Sequence, residues 1–243
     1  MAYFTIKRIS ELARGKVLSP ERYDPRRESL ATLNGDLNSV PLRRIAECAR
    51  AIVGPKSNEI TDAIILDTSD AREGLVISTK MPVSRDRIGS AKKLVREGDV
   101  IISRLRPYLR QVGYIDSRVP HWHPGVSLVC STEFFVLRSI NGRSISFLIP
   151  LLLSGPVQAI LSAAQEGGHH PRFNESTLLD LRVPKALLEQ REQISTEIEF
   201  AACLYRDSES KMLAGIQTAE VGFLALKDSE QTSDASRSSL GAP

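Results

Sequence analysis

Three arginines at steps of two and four, Arg104, Arg106 and Arg110, follow a short apolar run, Val100-Ile101-Ile102. Guanidinium groups in this arrangement suit phosphate, because each offers a fixed fork of donors and a charge that does not titrate. From Lys80 to Arg110 nine basic residues, Lys92 and Lys93 among them, stand against three acidic ones, whereas the whole chain carries only +3. Basic charge gathered into one segment is the footprint of a polyanion site. The bland alternative is a solvated strand end whose arginines meet nearby carboxylates.

Other chemistry is weaker. His121 and His123 flank Trp122 and would share a strand face, but two ligands do not make a metal site. A partly buried Trp122 fits better than a base-stacking one. His169-His170 follow Gly167-Gly168 with no cysteine or carboxylate cluster nearby, which speaks against metal. Asp62, Asp67 and Asp70 lie close together, but no lysine follows at short range on a strand, as metal-dependent nuclease chemistry would want. Gly167-Gly168 runs into His-His-Pro rather than a phosphate-cradling helix start, and no Asn-Pro-Pro-aromatic stretch of an amino-methyltransferase is present. The expectation is no catalysis and no cofactor.

The elements that would mount these residues can be sketched in order. Residues 1–36 read as an N-terminal arm with a basic turn at 22–27. Leu42, Ile45, Ala46, Ala49 and Ile52 recur at helical spacing behind Pro41, so a helix is expected over 40–52. Strands are expected at 60–67, 75–79, 100–104, 112–115, 127–130 and 133–138, with 87–94 left as loop or short helix. Val100 to Ile102 read as a strand buried on both faces, entered through a Gly98-Asp99 turn, so Arg104 and Arg106 should share one face of the extended chain. Helical composition follows at 144–153 and 155–164. From Lys185 to about Leu226 the chain reads as one long helix with a partial heptad: Leu187, Ile194 and Ala201 at one seam position, Ile198, Tyr205 and Met212 at the other. Its seven acids against four bases set it apart from the basic segment. Ser-rich residues 227–243 predict a disordered tail. The fold class is therefore α+β: a compact, β-rich domain over 37–184, then a helix over 185–226 able to form a coiled coil.

The chain has 243 residues, with 42% hydrophobic and 25% charged residues, in the ordinary soluble range. No apolar stretch is long enough to cross a bilayer. Cys48, Cys130 and Cys203 are isolated and odd in number, as expected in a reducing cytoplasm. The N-terminus lacks the apolar core of a secretory signal.

Two passages together carry a resemblance. EGDVIISRLRPYLRQVGYI at 97–115, then EGGHHPRFNESTLLDLRVP at 166–184 with a helix starting near LLEQREQI, resembles the DNA specificity subunits of type I restriction–modification systems. In that family a target recognition domain ends in a Gly-Gly-polar, Phe-Asn, Leu-x-x-Leu-x-Val/Ile-Pro passage before a long helix. The matching positions here are Gly167, Gly168, Phe173, Asn174, Leu178, Leu181, Val183 and Pro184. The resemblance covers roughly residues 37 to 225. Family members usually carry two such domains and two helices, so this chain looks like a half-length form. The proline-rich passage usual before the helix is thin, with Pro184 followed by Lys-Ala-Leu-Leu.

The resemblance implies a non-catalytic subunit that reads a DNA site, two-part and palindromic if the helix pairs two copies. It directs a partner DNA methyltransferase, and with it a restriction or other phage-defence subunit. The family's base-reading residues vary from member to member and none is carried over; on their chemistry the expected DNA-binding set is Lys92, Lys93, Arg104, Arg106, Arg110, His169, His170, Arg172 and Asn174, arginines suited to phosphate or guanine and Asn174 to adenine. The implied dimer or partner helix uses Leu187, Ile194, Ile198, Ala201, Tyr205 and Met212. The alternatives are a metal-dependent DNA nuclease built on the histidines, and an adaptor that binds only protein through the helix.

Overall fold

The computed structural model describes residues 6, 8–11, 38–54, 60–77, 80–166 and 170–238, with side chains as far as residue 223. They fall into two compact units, Met1–Glu199 and Phe200–Pro243. In the first unit the strands run in chain order: β1 (Ser39–Pro41), β2 (Ala46–Cys48), β3 (Ile52–Val53), β4 (Asp62–Leu66), β5 (Ala71–Arg72), β6 (Leu75–Val76) and β7 (Val83–Ser84). Then come β8 (Lys92–Leu94), β9 (Val100–Ser103), β10 (Val112–Tyr114), β11 (Ser127–Ser131) and β12 (Phe134–Ser139). Helices α1 (Leu148–Leu153), α2 (Gly155–Ala163) and α3 (Glu175–Leu179) lead to β13 (Arg182–Pro184), then α4 (Lys185–Glu189) and α5 (Arg191–Ser238).

Two sheets enclose the core. One has the order β10-β9-β12-β2 and is antiparallel throughout; the other has the order β3-β8-β11-β4-β7 with β11 and β4 parallel. Ile101, Phe134 and Val136 from the first meet Ile64, Leu66, Leu128 and Cys130 from the second. Residues between them in sequence turn the other way, and Ala63 and Val129 join Val53, Ile60 and Ile88 in a second cluster behind the larger sheet. This is the period-two alternation of strands buried on both faces. The short pair β1–β13 sets Val40 opposite Val183.

The β-rich domain followed by a long helix is as expected, and β4, β9, β10, β11 and β12 lie in their expected runs. Five expectations are corrected. Residues 40–52 form β1, a 3-10 turn over Leu42–Arg44, β2 and β3, not a helix. Leu42, Ile45 and Ala46 are buried, but their spacing arises from a turn joined to a strand that pairs with Leu137–Ser139. Over runs this short, period alone does not separate helix from strand. Lys92–Leu94, expected as loop or short helix, pairs as a strand with both β3 and β11. The expected strand from Leu75 stops at Val76. The expected single helix from Lys185 breaks at Gln190, whose φ of −93° and ψ of 7° leave the helical region while its amide bonds back to Ala186 and Leu188. After the restart the helix runs through Ser238, past the expected end near 226, because each added residue needs to fix only itself once a helix is nucleated.

Of the N-terminal arm the described residues show one 3-10 turn, Ile9–Glu11. No helix among the described residues is long and apolar enough to cross a membrane. Cys48, Cys130 and Cys203 are free thiols.

Candidate nucleic-acid interface

Strand β9 is buried along its whole length, with Val100, Ile101 and Ile102 at 0–2% exposure. It is entered by the expected turn: Gly98 takes φ 83°, and buried Asp99 accepts from the Arg96 amide and from Arg138 Nε and Nη2 at 2.8 and 2.6 Å. At its far end the Ser103 hydroxyl bonds both the amide and the carbonyl of Leu105 at 3.2 Å, closing a tight turn. The chain then enters a 3-10 turn, Pro107–Leu109, flanked by Arg106 at φ 44° and Arg110 at φ 53°. Arg104 and Arg106 therefore do not share a strand face. The strand has ended, and a left-handed residue redirects the chain.

Arg104 is built into the scaffold. Its amide donates to the Glu133 carbonyl at 2.9 Å and its carbonyl accepts from the Phe173 amide at 3.2 Å. Its Nε donates to Glu133 Oε2 at 2.9 Å, and Arg172 binds the same carboxylate through Nε at 2.9 Å and Nη2 at 2.7 Å. The hydrogen bonds from Arg172, then those from Arg104, hold the Glu133 carboxyl down to about 2 against the cost of its burial. Two guanidiniums on one carboxylate leave a net positive charge at the surface. The bland reading of a strand-end arginine meeting a carboxylate thus holds for Arg104.

Arg106 and Arg110 are exposed, and among the described residues no ion pair or hydrogen bond ties down their side chains. Tyr108 and Leu109 between them are 64% and 44% exposed. Lys92 Nζ donates to Ser90 Oγ at 2.6 Å. Lys93 points inward: its Nζ donates to the Phe134 carbonyl at 2.6 Å and lies 5.3 Å from the centre of the Phe135 ring, and burial pulls its pKa below that of an ordinary lysine. His170 is exposed, and its carbonyl accepts from Arg172 at 3.0 Å. His169, with Gly167 and Gly168, lies outside the described residues.

The passage from Arg172 to Pro184 is mostly packing and capping. Phe173 is buried with its ring 5.6 Å from that of Phe135. Asn174 caps α3, its Oδ1 accepting from Thr177 N, Thr177 Oγ1 and Ser176 Oγ within 2.8–2.9 Å. That oxygen is occupied, so a two-point grip on adenine would have to break the cap. Leu178, Leu181 and Val183 are core. Arg43 pairs with Asp180 and Arg50 with Glu175, fixing α3 beside the first sheet.

The helix docks by polar contacts within the first unit. Arg191 donates to the Ser144 carbonyl through Nε and Nη2 at 3.0 and 2.6 Å and lies 5.1 Å from the Phe147 ring centre. Ser146 Oγ reaches the Ser195 carbonyl, and Glu199 accepts from Ser144 and Ser146. Of the expected seam residues, Ile194 and Ile198 are half-buried, and Ile198, two turns after Arg191, lies on the docking side of the helix. In the second unit Tyr205 is half-buried, while Ala201 and Met212 are exposed. Leu187, half-buried, belongs to α4 and not to α5.

Among the described residues no three His, Cys, Asp or Glu side chains gather as a metal site. Trp122 is half-buried against the core, and His121 binds the Ser117 carbonyl at 2.5 Å within a 3-10 turn rather than a strand. Asp67 and Asp70 cap a 3-10 turn and are both bridged by Lys80, at 2.9 and 2.6 Å. Glu133 and the Tyr108–Leu109 tip were not singled out from sequence. The one available signal for Glu133 was its place in the turn between two apolar runs.

No protein-family model and no curated protein matches the sequence. Solved structures do. One is a chain from work on complex assembly and conformational transition of the type I R-M system, at TM-score 0.53 and 24% identity over 84% of this chain and 50% of that chain. Another is the HsdS subunit from Thermoanaerobacter tengcongensis, at TM-score 0.51 and 23% identity over 84% of this chain and 50% of that one. The fold is HsdS-like. The chain spans about half the length of either structure. Of the two passages that carry the sequence resemblance, the later one packs against β9 and β12, and the earlier one holds Arg106 and Arg110, without side-chain partners among the described residues, on the turn that β9 supports.

Proposed function

We propose that the chain reads a DNA sequence on behalf of a partner DNA methyltransferase and performs no catalysis itself. One observation carries this: an HsdS-like domain mounts Arg106 and Arg110, with no side-chain partner among the described residues, on a turn held by a fully buried strand. Such a mount gives phosphate contacts a fixed register, which lets neighbouring side chains address base edges. Arg104, Arg172 and Lys92 add positive charge to the domain and His170 a polar donor. Lys93 and Asn174 act by positioning, since the structure uses their polar groups internally.

The partner is the modification subunit, with a restriction or translocase subunit in a complete defence system. Two copies would pair along α5 through Ile194, Ile198, Ala201, Tyr205 and Met212, with Leu187 just before it, and would read a two-part palindrome with a fixed spacer. In support, Arg191, Ser195 and Glu199 bond the helix to its own domain, while Ala201 and Met212 farther along the seam are exposed. Ile194→Asp with Ile198→Asp would then lower the mass by light scattering or release the methyltransferase; an unaltered complex counts against the seam.

The deciding experiment co-purifies the chain with its methyltransferase and maps methylated bases with and without it. Loss of one defined motif on removal of the chain supports sequence reading. Unchanged methylation with nothing co-purifying overturns it.

A further inference from the structure

Three non-glycine residues among those described take positive φ: Glu73 at 49°, Arg106 at 44° and Arg110 at 53°. All three adjoin, because the Glu73 amide donates to the Arg110 carbonyl at 3.3 Å. Three non-glycine residues in the left-handed region at one surface point, beside Gly74 at φ 96°, mark a conformation kept for its shape. The shape is well fixed. Leu109 N bonds Arg106 O at 2.9 Å and Arg110 N bonds Pro107 O at 2.8 Å. Pro107 is buried, and α2 packs against the turn. The part displayed is an aromatic and an aliphatic side chain, Tyr108 and Leu109, both largely in water.

We propose that Tyr108 and Leu109 form a wedge that enters a groove of the DNA and loosens the stacking of one base step, while Arg106, Arg110 and the exposed Arg72 grip phosphates around it. An aromatic and an aliphatic side chain flanked in the chain by Arg106 and Arg110, with exposed Arg72 just before the Glu73 that bonds Arg110, fit a groove whose walls are phosphate and whose floor is base. An apolar protein surface would leave those charges without partners. A rigid turn matters because unstacking a step is unfavourable, and a mobile tip would have to be ordered as well. Tyr108 can stack on the opened base and Leu109 can fill the gap. The inference rests on the DNA-reading function proposed above and assigns the residues that deform the site.

The test uses the full chain in complex with its methyltransferase and duplexes carrying the mapped target, with 2-aminopurine replacing each adenine in turn. The wild-type complex should brighten the probe severalfold at one step, or two adjacent ones. Tyr108→Ala with Leu109→Ala should abolish the brightening while the salt dependence of binding and the thermal midpoint stay unchanged, since both side chains are exposed. Tyr108→Phe should retain it. Arg106→Ala should instead flatten the slope of log affinity against log salt by about 0.9. If no position brightens although methylation depends on the chain, the wedge is overturned and the DNA-reading function stands. If brightening persists in the double variant, or if that variant keeps its DNA affinity but loses the methyltransferase, the wedge is likewise overturned. If no target can be mapped, both fall.

Discussion

Arg104 and Arg106 are two residues apart in the chain, yet one is bound into a carboxylate cluster and the other has no partner among the described residues. The difference extends to their surroundings. Around Arg104 the backbone is tied to Glu133 and Phe173, and the passage that follows Phe173 is core and caps. Around Arg106 the backbone is strained, the turn is rigid and the side chains stand in solvent. Of the two passages that resemble type I specificity subunits, 166–184 belongs to the first region and 97–115 runs through both, and packing constrains residue type most in the first. A contact surface is constrained only by what it touches. Much of the recognisable sequence therefore reports the scaffold, and under the proposed function DNA contact falls to the exposed turn beside it.

The contrast breaks most visibly at Phe173. Its ring is buried against Phe135. Phe173→Ala should cost about 3–5 kcal/mol, read from denaturant midpoints, through lost burial and the cavity left behind. Any loss of DNA binding should then track the folded fraction. A variant that keeps full stability but loses binding would place Phe173 in the interface.

Glu133 is the hinge of the comparison. Glu133→Gln should lower stability by about 1–3 kcal/mol, the range for hydrogen bonds to charged groups. Its carboxyl is depressed from 4.5 to about 2, so the stability it contributes is present above its unfolded pKa and is lost as pH falls from about 4.5 toward 2. The variant's stability should be flatter across that window. Its DNA affinity should move the other way: freeing Arg104 and Arg172 should steepen the salt dependence by about 0.9 for each new phosphate contact. Loss of both stability and affinity would mean the cluster holds the site in shape.

Much of the first region was legible in the sequence. Runs of β-branched and aromatic residues marked β4, β9, β11 and β12, and Phe173, Asn174 and Leu178 fell where the resemblance put a structured passage. What escaped was long-range or backbone-borne. Glu133 lies 29 residues from Arg104 and 39 from Arg172, a separation no local pattern reports. The left-handed φ of Arg106 and Arg110 carries no sequence signal, since the residues in it are not glycine or asparagine. Expecting Arg104 and Arg106 on one face assumed a strand that ends at Ser103. Residues 40–52 gave a helical period because a 3-10 turn and short strands happened to space their buried residues so.

Asn174 tests the scaffold side at smaller scale. Its side chain caps α3, and Asn174→Ala should cost about 1 kcal/mol. Asn174→Asp should keep the cap, because a carboxylate oxygen accepts the same bonds and the negative charge suits a helix start. If both variants lose target discrimination while Asp keeps stability, the free amide reads a base; if Asp behaves as wild type, the residue is a cap alone.

The finest separation of the two regions comes from glycine at the strained positions. Arg106 and Arg110 sit in the left-handed region, where an L side chain costs roughly 1–2 kcal/mol per residue and glycine nothing comparable. Glycine also enlarges the unfolded ensemble, by roughly 0.5–1 kcal/mol. Arg106→Gly and Arg110→Gly should therefore leave stability unchanged or raise it by a few tenths to about 1 kcal/mol, measured by thermal and urea midpoints. The same changes should weaken DNA binding and flatten its salt dependence by about 0.9 each. Gain on one axis with loss on the other is the signature of strain retained for contact. Equal loss on both axes would make these arginines part of the scaffold, as Arg104 is, and would erase the distinction between the two regions.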